Sequence, residues 1–290
     1  MVLSMGRWVG KVAIVTGASS GIGAAIAQQL VKEGLKVAAL ARRRDKLEVL
    51  ATKLYSEKGK LYPITTDVSK EEDILNAFRW IKENLGPVHI LINNAGIFRS
   101  GDLSEGDTED WKSSLNVNVI GLCIATREAI RDMKANKVDG HIIHINSIVG
   151  HNILALPGWN IYPASKFAIT ALAETLRVEL KLAKSKIKIT SLSPGPVHTE
   201  ILPDSIMELI ERMVEQKEIL ESEDIADAVI YVLSTPSSCT GTLQDSALKN
   251  SNLTSWVKYN YWFSGHDVSR LELSEQILEN PRMIHCFCGK

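Results

Sequence analysis

The sequence predicts a doubly wound α/β fold, in which one parallel sheet carries helices on both faces. Short β-branched runs alternate with longer amphipathic stretches through the first two thirds of the 290-residue chain, as expected for repeated βαβ units. Near-continuous apolar runs such as VAIVT and HILIN are typical of parallel strands buried on both faces. Right-handed crossovers between such strands lead to a doubly wound sheet.

The predicted elements follow one another in a regular order. Strands are expected at 12–16, 37–41, 61–66, 90–93, 141–145 and 187–192, and helical stretches between them at 22–33, 46–56, 71–84, 111–133 and 163–182. A polar helix is predicted at 205–216, and the next helix is expected to begin with a capping box at Ser222. From about Ser237 the alternation stops, and the chain becomes rich in Ser, Asn and Thr.

Composition excludes several classes of protein. The 33 Lys and Arg residues balance 34 Asp and Glu residues, which argues against a nucleic-acid binder that relies on a basic field. Four cysteines are too few and too unevenly placed for a disulfide framework or a four-ligand zinc site, and no metal is expected. The sequence lacks a signal-peptide pattern and an apolar run long enough to span a membrane. We therefore expect a cytoplasmic protein.

A glycine-rich turn with the spacing G-x-x-x-G-x-G follows the first predicted strand and opens the first helix. Residues without a Cβ let the backbone approach a pyrophosphate, and the helix start offers N–H groups and a positive dipole end. A purely structural turn is the alternative. We predict dinucleotide contacts by Gly17, Ser19, Ser20, Gly21, Ile22 and Gly23.

The end of the second strand predicts the type of dinucleotide. An acid there would bind the adenosine ribose, whereas guanidinium groups bind a 2′-phosphate. The strand ends at Ala41 without an acid and continues into Arg42, Arg43 and Arg44. We therefore predict NADP(H) over NAD(H), with Arg42 as the main contact and Arg43 as the auxiliary one. A solvated basic helix start is the alternative interpretation.

Two further strand ends carry candidate cofactor contacts. Asp67 and Val68 follow the third strand, where they are expected to contact the adenine, although Asp67 also suits the N-cap of the next helix. Asn93 is expected to brace neighbouring strands at the end of the fourth strand. The small residues after it predict cofactor contacts through Asn94, Ala95 and Gly96.

A candidate catalytic set comprises Ser147, Tyr162 and Lys166. Four-residue spacing puts Tyr162 and Lys166 on one face of a helix, where an ammonium group favours the phenolate and makes the phenol usable as an acid and base. Ser147 precedes Tyr162 by 15 residues, at the end of a predicted strand, where its hydroxyl can orient a carbonyl. A hydrolase around Ser147 is disfavoured because the G-x-S-x-G elbow is absent.

The motifs TGASSGIG, NNAG, NVNVIG, INSIVG with YPASK, and SPGPVHT occur in one order along the chain. In this order they resemble the short-chain dehydrogenases/reductases, which implies a single Rossmann-like domain over residues 8–236. The segments GRWVGKVAIVTGASSGIGAAIA, GLKVAALAR and EDIADAVIYVLSTP are most similar to the NADP-dependent branch that contains insect farnesol dehydrogenases and vertebrate dehydrogenase/reductase family member eleven.

The resemblance implies a role for each matching residue. Tyr162 matches the general acid/base, Lys166 the residue that lowers its pKa and holds the nicotinamide ribose, and Ser147 the carbonyl-orienting hydroxyl. Asn118 matches the residue that helps to hold a proton-relay water. The loop expected to pack on the nicotinamide includes Pro194, Gly195, Val197 and Thr199. His144, His151 and His198 are expected to be loop or packing residues rather than catalysts.

The segment between Ser147 and Tyr162 predicts the substrate class. Its apolar side chains are expected to line a pocket for a small apolar alcohol or carbonyl compound, such as a prenyl, retinoid or steroid substrate. Simple core packing is the alternative. A farnesol-like substrate is implied by the resemblance, and this apolar segment supports it.

The C-terminal sequence departs from the family pattern. Members of the family usually follow YVLSTP with one short strand, whereas this chain continues into an atypical tail at 237–290. The last edge strand of the sheet is therefore in doubt, and a homodimer or homotetramer is expected if that edge forms. The alternative to an active oxidoreductase is a catalytically compromised nucleotide-binding isoform with an altered C-terminus.

Overall fold

Six parallel strands form one sheet in the computed structural model, which describes residues 3–154, 157–213 and 219–235. The strands lie in the order β3-β2-β1-β4-β5-β6. Their bounds are Val12–Thr16 (β1), Lys36–Ala41 (β2), Lys60–Thr65 (β3), Val88–Asn93 (β4), His141–Ile145 (β5) and Lys188–Leu192 (β6). Because the chain winds outward from β1 in both directions, the predicted doubly wound sheet is confirmed.

Helices cover both faces of this sheet. They are Gly21–Lys32 (α1), Arg44–Lys53 (α2), Glu71–Asn84 (α3), Thr108–Leu115 (α4), Leu122–Ala135 (α5), Tyr162–Leu182 (α6), Asp204–Met213 (α7) and Ser222–Ser234 (α8). Alternate residues of β1 point to opposite faces: Ala13 and Val15 pack with α1 and α8, whereas Val12 and Ile14 pack with α3, α5 and α6. The two apolar layers hold the carboxyl ends of the strands in a fixed arrangement.

One predicted helix, at 111–133, is not continuous. A π-helical segment, Asn116–Gly121, separates α4 from α5. Within it, Asn118 is buried and its side chain bonds to Ile97 and Ser165. These partners lie far away along the chain, so the periodicity of the segment carries no sign of the interruption.

The predicted capping box at Ser222 is wrong by one residue. Glu221 is the N-cap of α8, and its backbone N–H donates to Asp224 Oδ2 at 2.9 Å. Ser222 is instead the first residue of the helix and is buried. The side chain of Glu221 is long enough to reach the N–H of the third helical residue, a role that short polar side chains usually fill.

Several predictions fall on residues outside the described part of the chain. They concern the tail at 237–290 with its edge strand, the end of the helix expected at 205–216, residues 155 and 156 of the apolar segment, and Cys239, Cys286 and Cys288. None of the described helices is both long enough and apolar enough to cross a membrane.

Candidate active site

A cavity of about 430 Å³ lies at the carboxyl ends of the strands, where β1 and β4 meet and the winding direction reverses. Residues from distant parts of the chain line it together. The sequence-predicted residues in its lining are Gly17, Ser19, Ser20, Gly21, Ile22, Gly23, Arg42, Arg43, Asp67, Val68, Asn94, Ala95, Gly96, Ser147, Tyr162, Lys166, Pro194, Gly195, Val197 and Thr199.

The turn after β1 leaves room for an anion at the start of α1. Gly17 and Gly21 have positive φ values of 69° and 53°. A Cβ on Gly23 would lie 2.4 Å from the carbonyl oxygen of Gly17, so this position accepts no side chain. Ser20 is the N-cap of α1 but makes no capping hydrogen bond, and the first turn contains no acidic residue. The N–H groups of this turn therefore suit a pyrophosphate.

The end of β4 is tied to the end of β1. The Thr16 hydroxyl accepts hydrogen bonds from the backbone N–H groups of Asn94 and Ala95, both at 3.0 Å. Asn94 Nδ2 donates to the carbonyl oxygen of Thr16 at 3.0 Å, and Asn93 Nδ2 donates to Thr126 Oγ1 at 2.9 Å. Asn93 Nδ2 also lies 3.1 Å from Nδ1 of His144 on β5. Asn94 therefore ties β4 to β1, and Asn93 ties β4 to β5 and α5. Sequence reasoning missed Thr16, although a buried hydroxyl directly before a glycine-rich turn is a usable signal.

Asp67 forms a turn rather than a helix cap. Its Oδ1 accepts hydrogen bonds from the backbone N–H of Ser69 at 3.0 Å and from the Ser69 hydroxyl at 2.7 Å. The N-cap of α3 is Lys70. The N-cap alternative for Asp67 is therefore wrong, because the chain makes one further turn before the helix starts. This turn fixes Asp67 and Val68 at the cavity wall.

Three consecutive arginines have three different environments. Arg42 is exposed and lines the cavity. Arg43 Nε donates to Ser19 Oγ at 3.1 Å, so this side chain lies beside the glycine-rich turn. Arg44 pairs with Glu48 at 2.7 Å on exposed helix surface. The alternative of a solvated helix start describes Arg44, whereas Arg42 and Arg43 are exposed but line the cavity. Their contact with a 2′-phosphate stays a prediction.

Tyr162 is the first residue of α6 and Lys166 lies about one turn later, and both are buried. Lys166 Nζ lies 5.6 Å from the centre of the Tyr162 ring and donates to the carbonyl oxygen of Ile145 at 3.1 Å. Burial lowers the pKa of Lys166 to about 8. Burial also raises the pKa of Tyr162 above its ordinary value, opposite to the expected effect of the lysine. Desolvation therefore dominates at this tyrosine.

Ser147 lies two residues after the end of β5 and is the N-cap of a short 3₁₀ turn, Ile148–Gly150. Its Oγ accepts a hydrogen bond from the backbone N–H of Val149 at 3.3 Å, and the residue is partly exposed at the cavity wall. Because that contact uses only an oxygen lone pair, the hydroxyl proton stays available to a group in the cavity. Ser147, Tyr162 and Lys166 thus line one cavity, as the sequence predicts.

Asn118 is not part of the cavity lining. It is 1% exposed, and its Oδ1 accepts from the backbone N–H of Ile97 at 2.8 Å. Its Nδ2 donates to the carbonyl oxygen of Ile97 and to Ser165 Oγ, both at 3.0 Å. The side chain therefore connects the segment after β4 to α6. Its predicted part in a proton relay stays a prediction.

An apolar cluster forms one wall of the cavity beside Tyr162. The Trp159 ring is nearly parallel to the Tyr162 ring, with an interplanar angle of 13° and centroids 6.2 Å apart. The Phe98 ring packs edge-on against the Tyr162 ring, with the two centroids 5.3 Å apart. Ile206 and Ile210 of α7 pack against the same cluster. Sequence reasoning included Trp159 but missed Phe98, whose position shortly after the NNAG motif was the available signal.

The histidines near the motifs lie outside the cavity lining. His144 is buried with a pKa lowered to about 3 by desolvation, His151 contacts Ser193 Oγ at 2.8 Å, and His198 lies 2.7 Å from Glu221. Within residues 3–154, 157–213 and 219–235, no group of three or more His, Cys, Asp or Glu side chains is arranged to hold a metal ion.

Known proteins resemble this chain over most of its length. The short chain dehydrogenase family profile matches residues 11–208. Farnesol dehydrogenase of Aedes aegypti is 52% identical over 234 residues, which is 80% of this chain and 93% of that protein. Dehydrogenase/reductase SDR family member 11 of Homo sapiens is 48% identical over 80% of this chain and 92% of that protein.

A solved structure of a short chain dehydrogenase has a similar fold. A short chain dehydrogenase from Burkholderia cenocepacia J2315, crystallised in complex with NADP, superposes with a TM-score of 0.74 at 28% sequence identity. The similarity covers 83% of this chain and 98% of that chain.

Proposed function

Since the chain belongs to the short-chain dehydrogenase/reductase family, we propose that it is an NADP(H)-dependent oxidoreductase that interconverts an apolar alcohol and its aldehyde or ketone. One observation carries this proposal. The glycine-rich turn, Ser147, Tyr162 and Lys166 line a single cavity, one wall of which is the aromatic cluster around Tyr162. Such a cavity accommodates a dinucleotide and an apolar substrate side by side.

The residues of the cavity fit a dinucleotide by their geometry. The free N–H groups at the start of α1 suit the pyrophosphate, because the first turn of the helix contains no acidic residue. Gly23 in this turn has no room for a side chain. We assign Lys166 to the nicotinamide ribose and the 194–199 loop to the carboxamide, and the cavity lining that they share supports this assignment. When bound, the nicotinamide supplies or accepts the hydride at the carbon that carries the reacting oxygen.

Side chains of the cavity supply the proton that the substrate oxygen receives. The Tyr162 phenol is protonated near neutral pH, since burial raises its pKa above an already high ordinary value, and this form can donate a proton to a carbonyl oxygen. The Ser147 hydroxyl can donate a second hydrogen bond to the same oxygen, which stabilises the negative charge that develops there. Lys166, with a pKa of about 8, is mostly charged at pH 7 and offsets charge that develops on the phenol oxygen.

The proposed substrate is a small apolar alcohol or carbonyl compound with farnesol-like, retinoid or steroid character. The rings of Phe98 and Trp159 pack against Tyr162 and against each other, which supports an apolar substrate next to the Tyr162 hydroxyl. The name of the 52% identical farnesol dehydrogenase supports a terpenoid alcohol.

A titration of the purified protein tests the proposal directly. Nicotinamide fluorescence is followed during addition of NADPH and, separately, NADH, and turnover is then measured with apolar aldehydes and ketones. We expect tighter binding of NADPH and its oxidation by the apolar carbonyl compounds. Binding without turnover would instead support the compromised isoform, and failure to bind either dinucleotide would contradict both functions.

The cofactor preference predicts the effect of one substitution. Arg42→Asp replaces an exposed cation of the cavity wall by an acid, which repels a 2′-phosphate and can bind a ribose hydroxyl. We expect the ratio of the NADH to the NADPH dissociation constant to fall by about 10- to 100-fold. Arg44→Asp makes the same charge change outside the cavity and should leave the ratio nearly constant. Equal effects of the two substitutions would refute the assignment of Arg42.

We also propose a cytoplasmic protein with a catalytic domain at 8–236 and a tail at 237–290, which forms a homodimer or homotetramer if the C-terminal edge strand forms. This proposal rests on the sequence pattern and the family resemblance.

A further inference from the structure

An ion-pair cluster joins two distant parts of the chain at the exposed edge of the cavity. Glu200 follows Thr199 in the loop after β6, whereas Arg43 and Lys46 lie at the start of α2. Glu200 Oε2 lies 2.8 Å from Arg43 Nη1, and Glu200 Oε1 lies 3.1 Å from Lys46 Nζ. Each carboxylate oxygen therefore has its own cation.

The Arg43 guanidinium is held at the glycine-rich turn at the same time. Its Nε donates to Ser19 Oγ at 3.1 Å and its Nη2 donates to Ser20 Oγ at 2.5 Å. Arg43 and Glu200 both line the cavity, together with Arg42. The guanidinium thus lies beside the predicted phosphate contacts, and an internal carboxylate occupies one of its nitrogen atoms.

The carboxylate is charged under all ordinary assay conditions. Hydrogen bonds from Arg43 and then from Lys46 lower the pKa of Glu200 to about 2. Phosphate and carboxylate oxygens seek the same donors of a guanidinium or ammonium group, so two anions cannot both use the same N–H groups fully. A dianionic 2′-phosphate close to Glu200 would also be repelled by it.

We propose that Glu200 is a cofactor-specificity residue, whose carboxylate competes with the 2′-phosphate of NADP(H) for Arg43 and Lys46. This inference rests on the proposed NADP(H)-dependent function. It gives Glu200 an effect opposite to that of Arg42: Arg42 favours NADP(H), whereas Glu200 reduces the preference for it over NAD(H).

Glu200→Gln tests the inference, because it removes the charge and keeps the size of the side chain. The side chain is 60% exposed, so the fold is expected to tolerate the change. We expect the NADPH dissociation constant to fall by about threefold to tenfold and the NADH constant to change by less than about twofold. Competition by 2′,5′-ADP and by 5′-AMP should show the same difference, since only the former carries the 2′-phosphate.

Glu48→Gln is the matched control. It removes the same charge from an exposed ion pair of α2, the pair with Arg44, outside the cavity lining. We expect it to leave both dissociation constants unchanged. An unchanged ratio in Glu200→Gln, weaker NADPH binding, or equal tightening of both dinucleotides would overturn the inference.

The unsubstituted protein separates this inference from the proposed function. If it binds NADPH and turns over while Glu200→Gln has no selective effect, the inference fails and the proposed function stands. If the unsubstituted protein does not bind NADPH, the proposed function fails first.

Discussion

Replacing Tyr162 by Phe is expected to lower kcat by about 10²- to 10⁴-fold, while the NADPH dissociation constant stays nearly the same. The substitution removes only the hydroxyl group. The ring is retained, and its centroid lies 5.3 Å from that of Phe98 and 6.2 Å from that of Trp159. The apolar wall of the cavity should therefore keep its shape. Steady-state rates with an apolar aldehyde and a fluorescence titration with NADPH measure the two quantities separately.

Tyr55→Phe provides a control for this experiment. Tyr55 is 89% exposed and lies outside the cavity lining, so loss of its hydroxyl should not change the rate. If Tyr162→Phe retained the original kcat, the proton would have to come from another group, and the assignment of Tyr162 would be wrong.

Replacing Lys166 by Met is expected to lower turnover without lowering the stability of the fold. Turnover should fall by about 100-fold or more, because the positive charge beside Tyr162 is lost. Stability at pH 7 should stay the same or increase, because burial of the ammonium group disfavours the charged form in the fold. The pKa depression from 10.5 to about 8 corresponds to roughly 3 kcal/mol as an upper scale. Loss of the hydrogen bond to Ile145 offsets part of it.

The stability effect of Lys166 should depend on pH in a defined direction. The depressed pKa means that between about 8 and 10.5 the unfolded chain binds more protons at this lysine than the fold does. The contribution of Lys166 to the free energy of unfolding is therefore fully unfavourable below the folded value, and this cost disappears as the pH rises toward 10.5. The stability difference between Lys166→Met and the unsubstituted protein should shrink over this window.

Urea unfolding at several pH values, with Lys181→Met as the control, measures this difference. Lys181 is an exposed residue of the same helix, so its replacement should leave the pH dependence unchanged. A Lys166→Met variant that is several kcal/mol less stable at pH 7 would contradict this prediction, because it would show that the buried ammonium group stabilises the fold.

The motifs could be predicted from the sequence because each is local. The glycine-rich turn, the NNAG strand end and the Tyr162–Lys166 helical turn each depend on neighbours within a few residues. The parallel strands also follow from local apolar runs, and β1 and β5 begin and end where the pattern predicts. The resemblance to a family then assigned roles that spacing alone leaves open, above all for Asn118.

The remaining features depend on contacts between distant residues. Glu200 and Arg43 are 157 positions apart, so neither residue indicates the other in the sequence. Asn118, in the π-helical segment, bonds to Ile97 and Ser165, which lie 21 and 47 positions away. The raised pKa of Tyr162 has the same origin, because burial is a property of the assembled cavity rather than of the Y-x-x-x-K spacing.

Helix α8 connects two opposite edges of the sheet. It starts next to the 194–199 loop, where Leu220 pairs with Val197, and after 13 residues its last turn accepts hydrogen bonds from Arg7 and Trp8 through the carbonyl oxygen of Leu233. This length carries the chain about 20 Å, from the cavity at the carboxyl ends of the strands to the edge where the strands begin. A single rigid helix therefore links the loop beside the cavity to Arg7 and Trp8, so a substitution that loosens its last turn can also disturb the loop at Val197.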